Sequence, residues 1–159
     1  MTSAAIRKAK PSDISELFDL LRAKAKFDGA LDALTATPEE LCAALFCDSP
    51  NVEVVVAEKN GTLVGFATYY AIFSTYSARP GLWMDDLFVD EAQRSCGIGR
   101  ELLRFLAREA TSRKACKLEW SLQTSNSRGI AFYKREGAVI REINRFAKLD
   151  EAGLARLLA

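Results

Sequence analysis

Residues 94–100 read Arg-Ser-Cys-Gly-Ile-Gly-Arg. Glycines let a backbone approach a ligand closely, and a helix opening there presents unpaired N–H groups and its positive dipole end. Such a turn is an anion site of the kind that holds a pyrophosphate, with Arg94 and Arg100 placed to add charge-assisted bonds. The other reading is a plain glycine turn that starts a helix. A Rossmann fingerprint is excluded because Leu102 stands where its third glycine belongs, and no Gly-Lys-Ser/Thr step makes a Walker loop. Just upstream, Asp85-Asp86 interrupts an apolar run. Side chains alternate along a strand, so the two carboxylates are expected on opposite faces. At least one then enters a covered region, where it is paired, wet or functional; otherwise the two form a sheet-rim pair that holds a nearby Arg or Lys. Tyr133, near the end of a short helix opened by Asn126, is either a core aromatic with its hydroxyl at the surface or a proton donor, its ordinary pKa being close to that of an amine.

The chain has no histidine. That removes Ser-His and Cys-His nucleophilic schemes, the commonest metal ligand and the usual near-neutral base. Catalysis is left to carboxylates, tyrosines, lysines, a lone thiol or backbone dipoles, and no metal is expected. Cys96 sits at the helix mouth, but without a histidine partner it reads as an incidental turn residue. The four cysteines form no CxxC pair and are expected to be reduced. A net charge of +1 offers no basic field for nucleic acid. No apolar run approaches membrane-spanning length and the start lacks a signal-peptide core, so a cytoplasmic protein is expected, without nucleic-acid or membrane partners.

These residues need a scaffold. AIRKAK (5–10) reads as a short edge strand ended by Pro11. Ile14, Leu17, Phe18, Leu20 and Leu21 fall at helical spacing, with Asp13 and Glu16 placed like a capping box. Thr37-Pro38-Glu39-Glu40 starts a second helix. The loop between them carries Asp28 and Asp32, either ordinary loop acids or groups that attract a cationic substrate. Residues 51–73 are two β-rich runs joined by Lys59-Asn60-Gly61, a strong hairpin signal. Tyr69, Tyr70, Phe73 and Tyr76 follow as core residues or as aromatics facing a cation. A strand at 81–90, a helix at 99–112, a strand at 116–123, a helix at 126–135 and two last strands around AVI (138–140) and INRFAKL (143–149) complete the order. The expectation is one α+β domain over residues 1–159, a mixed, mostly antiparallel sheet of about seven strands flanked by about four helices.

Together the pieces resemble the GNAT superfamily of acetyl-CoA-dependent N-acetyltransferases over nearly the whole chain. Arg94-Ser95-Cys96-Gly97-Ile98-Gly99 is similar to that superfamily's R/Q-x-x-G-x-G/A segment between strand and helix. LWMDDLFV, AFYKREGA and VGFATYY further resemble the spermidine/spermine and thialysine N-acetyltransferases, and Ser74-Thr75-Tyr76 resembles the thialysine branch's Ser-Thr-Trp. Ser95 stands where a glycine is usual, Asp85 where a glutamate is usual, and Asn144-Arg145-Phe146 where that family has a tryptophan.

The resemblance implies a V-shaped splay between strands 82–89 and 116–123, in which the backbone of Leu87, Phe88 and Val89 holds the pantetheine arm of acetyl-CoA. The N–H groups of Arg94, Ser95, Cys96, Gly97, Ile98, Gly99 and Arg100 would hold the pyrophosphate, and Asn126, Tyr133 and Lys134 the cofactor's far side. Asp85, through a water, would take the proton of an arriving ammonium; a carboxylate serves so where burial or a neighbouring acid raises its pKa. Tyr133 would protonate the departing thiolate, and a strand N–H near Phe88 would polarise the thioester oxygen. Asp28, Asp32, Tyr76, Asp85 and Asp86 would meet a small-molecule amine such as a polyamine or thialysine. A homodimer is implied as well. Two alternatives stand beside this reading: a catalytically silent CoA-binding module, and an acetyltransferase acting on a peptide or protein amine.

Overall fold

The computed structural model describes residues 4–142 and 147–158. They fall into two compact units, one up to Ser121 and one from Leu122 onward. In the first unit the order is β1 (Ala5–Lys8), α1 (Ile14–Phe27), α2 (Pro38–Leu45), β2 (Glu53–Lys59), β3 (Thr62–Ser74), β4 (Arg79–Val89), α3 (Ile98–Ser112) and β5 (Leu118–Glu119). The five strands lie in sequence order across one sheet, antiparallel from β1 to β4 and parallel between β4 and β5.

Local chemistry explains most of these elements. Asn60 and Gly61 both take positive φ, 54° and 80°, and join Lys59 to Thr62 as the hairpin turn expected. Thr37 Oγ1 accepts from the Glu40 amide at 3.2 Å while Glu40 returns a bond to the Thr37 amide at 2.9 Å, the reciprocal cap of α2. The start of α1 differs from expectation. Asp13 is buried and accepts two bonds from Arg7, at 2.7 and 2.9 Å, and Glu16 reaches the Leu63 amide of β3 at 2.8 Å. The Arg7 guanidinium holds the Asp13 carboxyl below the usual carboxylate range. Tertiary partners have outbid the local capping box.

β2 is covered on both faces, so its Val54-Val55-Val56-Ala57 run is apolar without alternation. Val54, Val56, Leu63, Phe66 and Phe88 pack with Leu17 and Leu20 of α1. On α3, Ile98, Leu102, Leu106 and Ala110 form a buried row at a spacing of four, and the helix packs on β2, β3 and β4. At Gly65 a Cβ would lie 2.8 Å from the Phe88 carbonyl oxygen, so only glycine lets β3 and β4 close here.

The sheet has five strands among the described residues, not about seven, and there are five helices rather than four. The strand expected over 116–123 shrinks to two paired residues. AVI has no ladder partner among the described residues and is irregular, because a strand exists only where another backbone pairs with it. Of INRFAKL, residues 143–146 lie outside the described residues and 147–149 are irregular. The second unit holds α4 (Ser127–Arg135) and an unexpected α5 (Glu151–Leu158). No helix of the described residues is long and apolar enough to cross a membrane.

Candidate functional site

β5 pairs with β4 only at Leu82↔Leu118 and Trp83↔Glu119. Beyond Trp83, no strand of the described residues joins β4 on that side. The strand there offers an open edge. Its phase can be read from the other side: the Asp86 amide donates to Thr68 Oγ1 at 3.0 Å and the Asp90 amide to the Val64 carbonyl at 2.9 Å, both towards β3. With a period of two, the Phe88 amide faces β3 as well, and the amides of Leu87 and Val89 face the open edge. Arg94 Nε donates to the Val89 carbonyl at 3.0 Å, in agreement with that phase.

From Val89 the chain runs through a short turn, Glu91–Gln93, into the loop of Arg94 to Gly97 and then α3. Ser95 and Gly97 both take positive φ, 64° and 83°. A Cβ on Gly97 would meet nothing within 4 Å, so glycine is required there by the backbone angle rather than by crowding within the chain. Ser95, Cys96 and Gly97 are exposed and lead into the first turn of a fifteen-residue helix, whose leading N–H groups have no helical acceptor. The Arg94 side chain is engaged within the chain, its guanidinium 4.0 Å from the Glu91 carboxylate. Its guanidinium lies 4.8 Å from the Phe27 ring centre and 5.5 Å from that of Phe88, tying the loop to the end of α1.

The two adjacent aspartates depart from simple alternation. Thr68 pairs with Asp86 and Tyr69 with Met84, which leaves Asp85 as the extra residue of a β-bulge. The bulge re-aims the side chains, and both carboxylates line one cavity of about 390 Å³. Their surroundings differ. Asp86 accepts from Thr68 Oγ1 at 2.8 Å and pairs with Lys24 at 2.8 Å, while Lys24 also bonds Asp28 at 2.6 Å. Burial acts to lower the Lys24 pKa, but its bonds to Asp28 and Asp86 overcome this and hold it above the ordinary value. Asp85 is exposed and accepts from the Trp83 indole N–H at 3.4 Å. Of the two circumstances expected to fit Asp85 for work as a base, burial is absent.

Asp32 and Tyr76 are exposed, Tyr76 fully, and neither lines the cavity. Lys24 and Thr68 escaped the sequence reading. The spacing of four between Lys24 and Asp28 was a local signal for one pair; the cross-strand bond from Thr68 needs the register of β3 and β4 to be known.

In the second unit, the Asn126 side chain accepts from the Gly129 amide at 2.8 Å and caps α4, and Gly137 at φ 89° ends it. Tyr133 is buried, and burial pushes its phenol up to about 12. Its ring lies 5.0 Å from that of Phe132. Lys134 is exposed.

Comparison with known proteins agrees with this arrangement. Residues 16–138 match the acetyltransferase (GNAT) family. A thialysine N-epsilon-acetyltransferase of Sus scrofa is 27% identical over 146 residues, which cover 87% of this chain and 85% of that protein. A spermidine/spermine N(1)-acetyltransferase-like protein of Homo sapiens is 30% identical over 141 residues, 84% of this chain and 20% of that one. Among solved structures, an integron cassette protein from the mobile metagenome of V. cholerae superposes with a TM-score of 0.82 at 25% identity, over 99% of both chains. The family match spans most of the sequence, and the chain belongs to the acetyltransferase (GNAT) family.

Proposed function

We propose that this protein transfers an acetyl group from acetyl-CoA to the primary amine of a small cationic acceptor, the class that includes polyamines and thialysine. One observation carries the reading: the open edge of β4 runs from Leu87 and Val89 into the left-handed turn that starts α3. An elongated ligand with amide groups along its length and phosphates at one end fits that run of donors. Acetyl-CoA supplies an acetyl group activated as a thioester. Leu87 and Val89 bond the amides of its arm as an added strand would, and one of their N–H groups stabilises negative charge growing on the carbonyl oxygen. The N–H groups from Ser95 to Arg100 take the pyrophosphate.

Asp85, through a water, accepts a proton from the arriving ammonium, so that the amine nitrogen has a lone pair to attack the carbonyl carbon. The C–N bond forms and the C–S bond breaks. The nitrogen's second proton balances the departing sulfur. Tyr133, with its phenol at about 12, remains protonated throughout the working range. Surrendering its proton to a thiolate of ordinary pKa, about 8.5, would run uphill by about 5 kcal/mol. We therefore read it as a hydrogen-bond donor to the leaving sulfur that need not complete the transfer. Asn126 and Lys134 are read as contacts to the same ligand. The resemblance also implies a homodimer, and the exposed Leu154, Leu157 and Leu158 of α5 are apolar surface suited to a partner.

The test is thiol release from acetyl-CoA with spermidine, thialysine and lysine, by the unaltered protein and by Tyr133→Phe and Asp85→Asn. Each variant is expected to lose at least tenfold in kcat, with KM for acetyl-CoA changed by no more than a few-fold. Unchanged turnover in both would remove the assigned roles.

A further inference from the structure

Asp85, the proposed base, is weakly held by its own contacts. It is exposed, and the bond it accepts from the Trp83 indole N–H is long, 3.4 Å, and comes from two residues back on the same strand. Its neighbour is held at three points. Thr68 Oγ1 accepts from the Asp86 amide at 3.0 Å and donates to Asp86 Oδ2 at 2.8 Å, while Lys24 Nζ lies 2.8 Å from Asp86 Oδ1. One hydroxyl thus closes on both the backbone and the side chain of the residue that follows the bulge. The pairs Thr68↔Asp86 and Tyr69↔Met84 bracket Asp85, which has no register partner of its own on β3. Whatever fixes the bulge therefore fixes Asp85, and Thr68 is the side chain that grips it from the facing strand. Thr68, Asp85 and Asp86 also share the lining of one cavity.

Resting on the acetyl-transfer reading above, we infer that Thr68 is a positioning residue for that reaction: its hydroxyl, bonded to Asp86, locks the bulge so that the Asp85 carboxylate stays turned to the acceptor. Asp86 is then the anchor of the bulge. A proton transfer that needs carboxylate, water and ammonium in line is sensitive to small displacements of any one of them. Removing the hydroxyl takes this acceptor from the Asp86 amide and this donor from Oδ2, and the bulge can shift about Asp85. The effect is local. Beyond the bulge the pairs Ala67↔Leu87, Phe66↔Phe88 and Gly65↔Val89 still hold β4, so the edge offered to acetyl-CoA stays in place. No charge is altered either, so the attraction of Asp28, Asp85 and Asp86 for a cationic acceptor is kept.

The experiment measures thiol release from acetyl-CoA with whichever of spermidine, thialysine and lysine turns over fastest. It compares the unaltered protein with Thr68→Val, Thr68→Ser, Asp85→Asn and the double variant of Thr68→Val with Asp85→Asn. Thr68→Val should lose roughly tenfold or more in kcat, with KM for both substrates within about threefold. Thr68→Ser, which restores the hydroxyl, should recover most of that loss. The double variant should be no slower than Asp85→Asn alone, because Thr68 acts only through the carboxylate already removed. Thr68→Ala takes the place of Thr68→Val if the valine protein does not fold. An unaltered rate in Thr68→Val or in Asp85→Asn overturns the inference. So does a loss that Thr68→Ser does not recover, or one that multiplies with that of Asp85→Asn as a general structural defect would. Each of these leaves acetyl transfer standing. No turnover with any amine by the unaltered protein, while acetyl-CoA still binds by calorimetry, overturns the transfer reading and this inference with it.

Discussion

Exchanging the two left-handed residues of the loop before α3 separates backbone strain from ligand contact. Ser95 sits at φ 64° and Gly97 at φ 83°. A non-glycine residue in this region costs roughly 1–2 kcal/mol, and glycine returns about 0.5–1 kcal/mol of that by its freedom in the unfolded chain. Ser95→Gly should therefore stabilise the fold by about 0.5–1 kcal/mol, a rise in Tm of about 1–4 °C for a chain of this size. Gly97→Ala meets no atom within 4 Å, so its penalty within the chain is the φ term alone. If the left-handed angle is what aims the α3 N–H groups at an anion, the loop must hold it in the complex. The cost then falls on binding, about 1–2 kcal/mol or 5–30-fold in Kd for CoA. Calorimetric titration with CoA, alongside thermal melts of both variants, reads the two quantities separately. A Gly97→Ala protein with unchanged Tm and unchanged CoA affinity would refute the argument, because it would mean that the angle matters neither to fold nor to ligand.

Two further outcomes follow from the same geometry. Gly65→Ala would set a Cβ 2.8 Å from the Phe88 carbonyl, and since that contact is backbone to backbone the strands must shift; a loss of about 1–3 kcal/mol is expected in urea unfolding, with weaker CoA binding through the displaced β4 edge. Glu53, bonded to Arg113 at 2.6 and 2.9 Å, is held down at about 2 by that guanidinium, with Lys8 adding to it against burial. Because the folded pKa lies below the ordinary value of 4.5, its stabilisation is present above about pH 4.5 and is lost as pH falls towards 2. Glu53→Gln should lower stability at pH 7 by roughly 1 kcal/mol, allowing for partial exposure, and should flatten the stability curve between pH 4.5 and 2.

What could be read from the sequence is what local chemistry decides. The Asn60-Gly61 turn and the Thr37–Glu40 cap need no partner beyond a few residues, and both formed as expected. Asp13 and Glu16 carried the same kind of signal and failed, because Arg7 and the Leu63 amide, brought in by β1 and β3, compete for them. α5 was legible and missed: Leu154 and Leu157 stand at helical spacing, and Asp150 accepts from the Gly153 amide at 2.8 Å as a helix start should.

The acceptor side shows why charge counted along the chain misleads about charge presented to a ligand. Asp28, Asp85 and Asp86 together suggest an anionic pocket for a polycation. The register of β3 on β4 puts a bulge at Asp85, and the bulge brings both neighbours to one cavity instead of opposite faces. That alone would strengthen the polycation reading. Lys24 tempers it, since one ammonium at 2.6 and 2.8 Å from two carboxylates offsets one of the three negative charges. At those distances, and with the lysine half-buried, solvent screens the pairs far less than it would at the surface. The acid that this lysine does not hold is the exposed one, Asp85, at the bulge beside the strand edge. On the function proposed above, Asp85 would both orient an ammonium and, through water, take its proton.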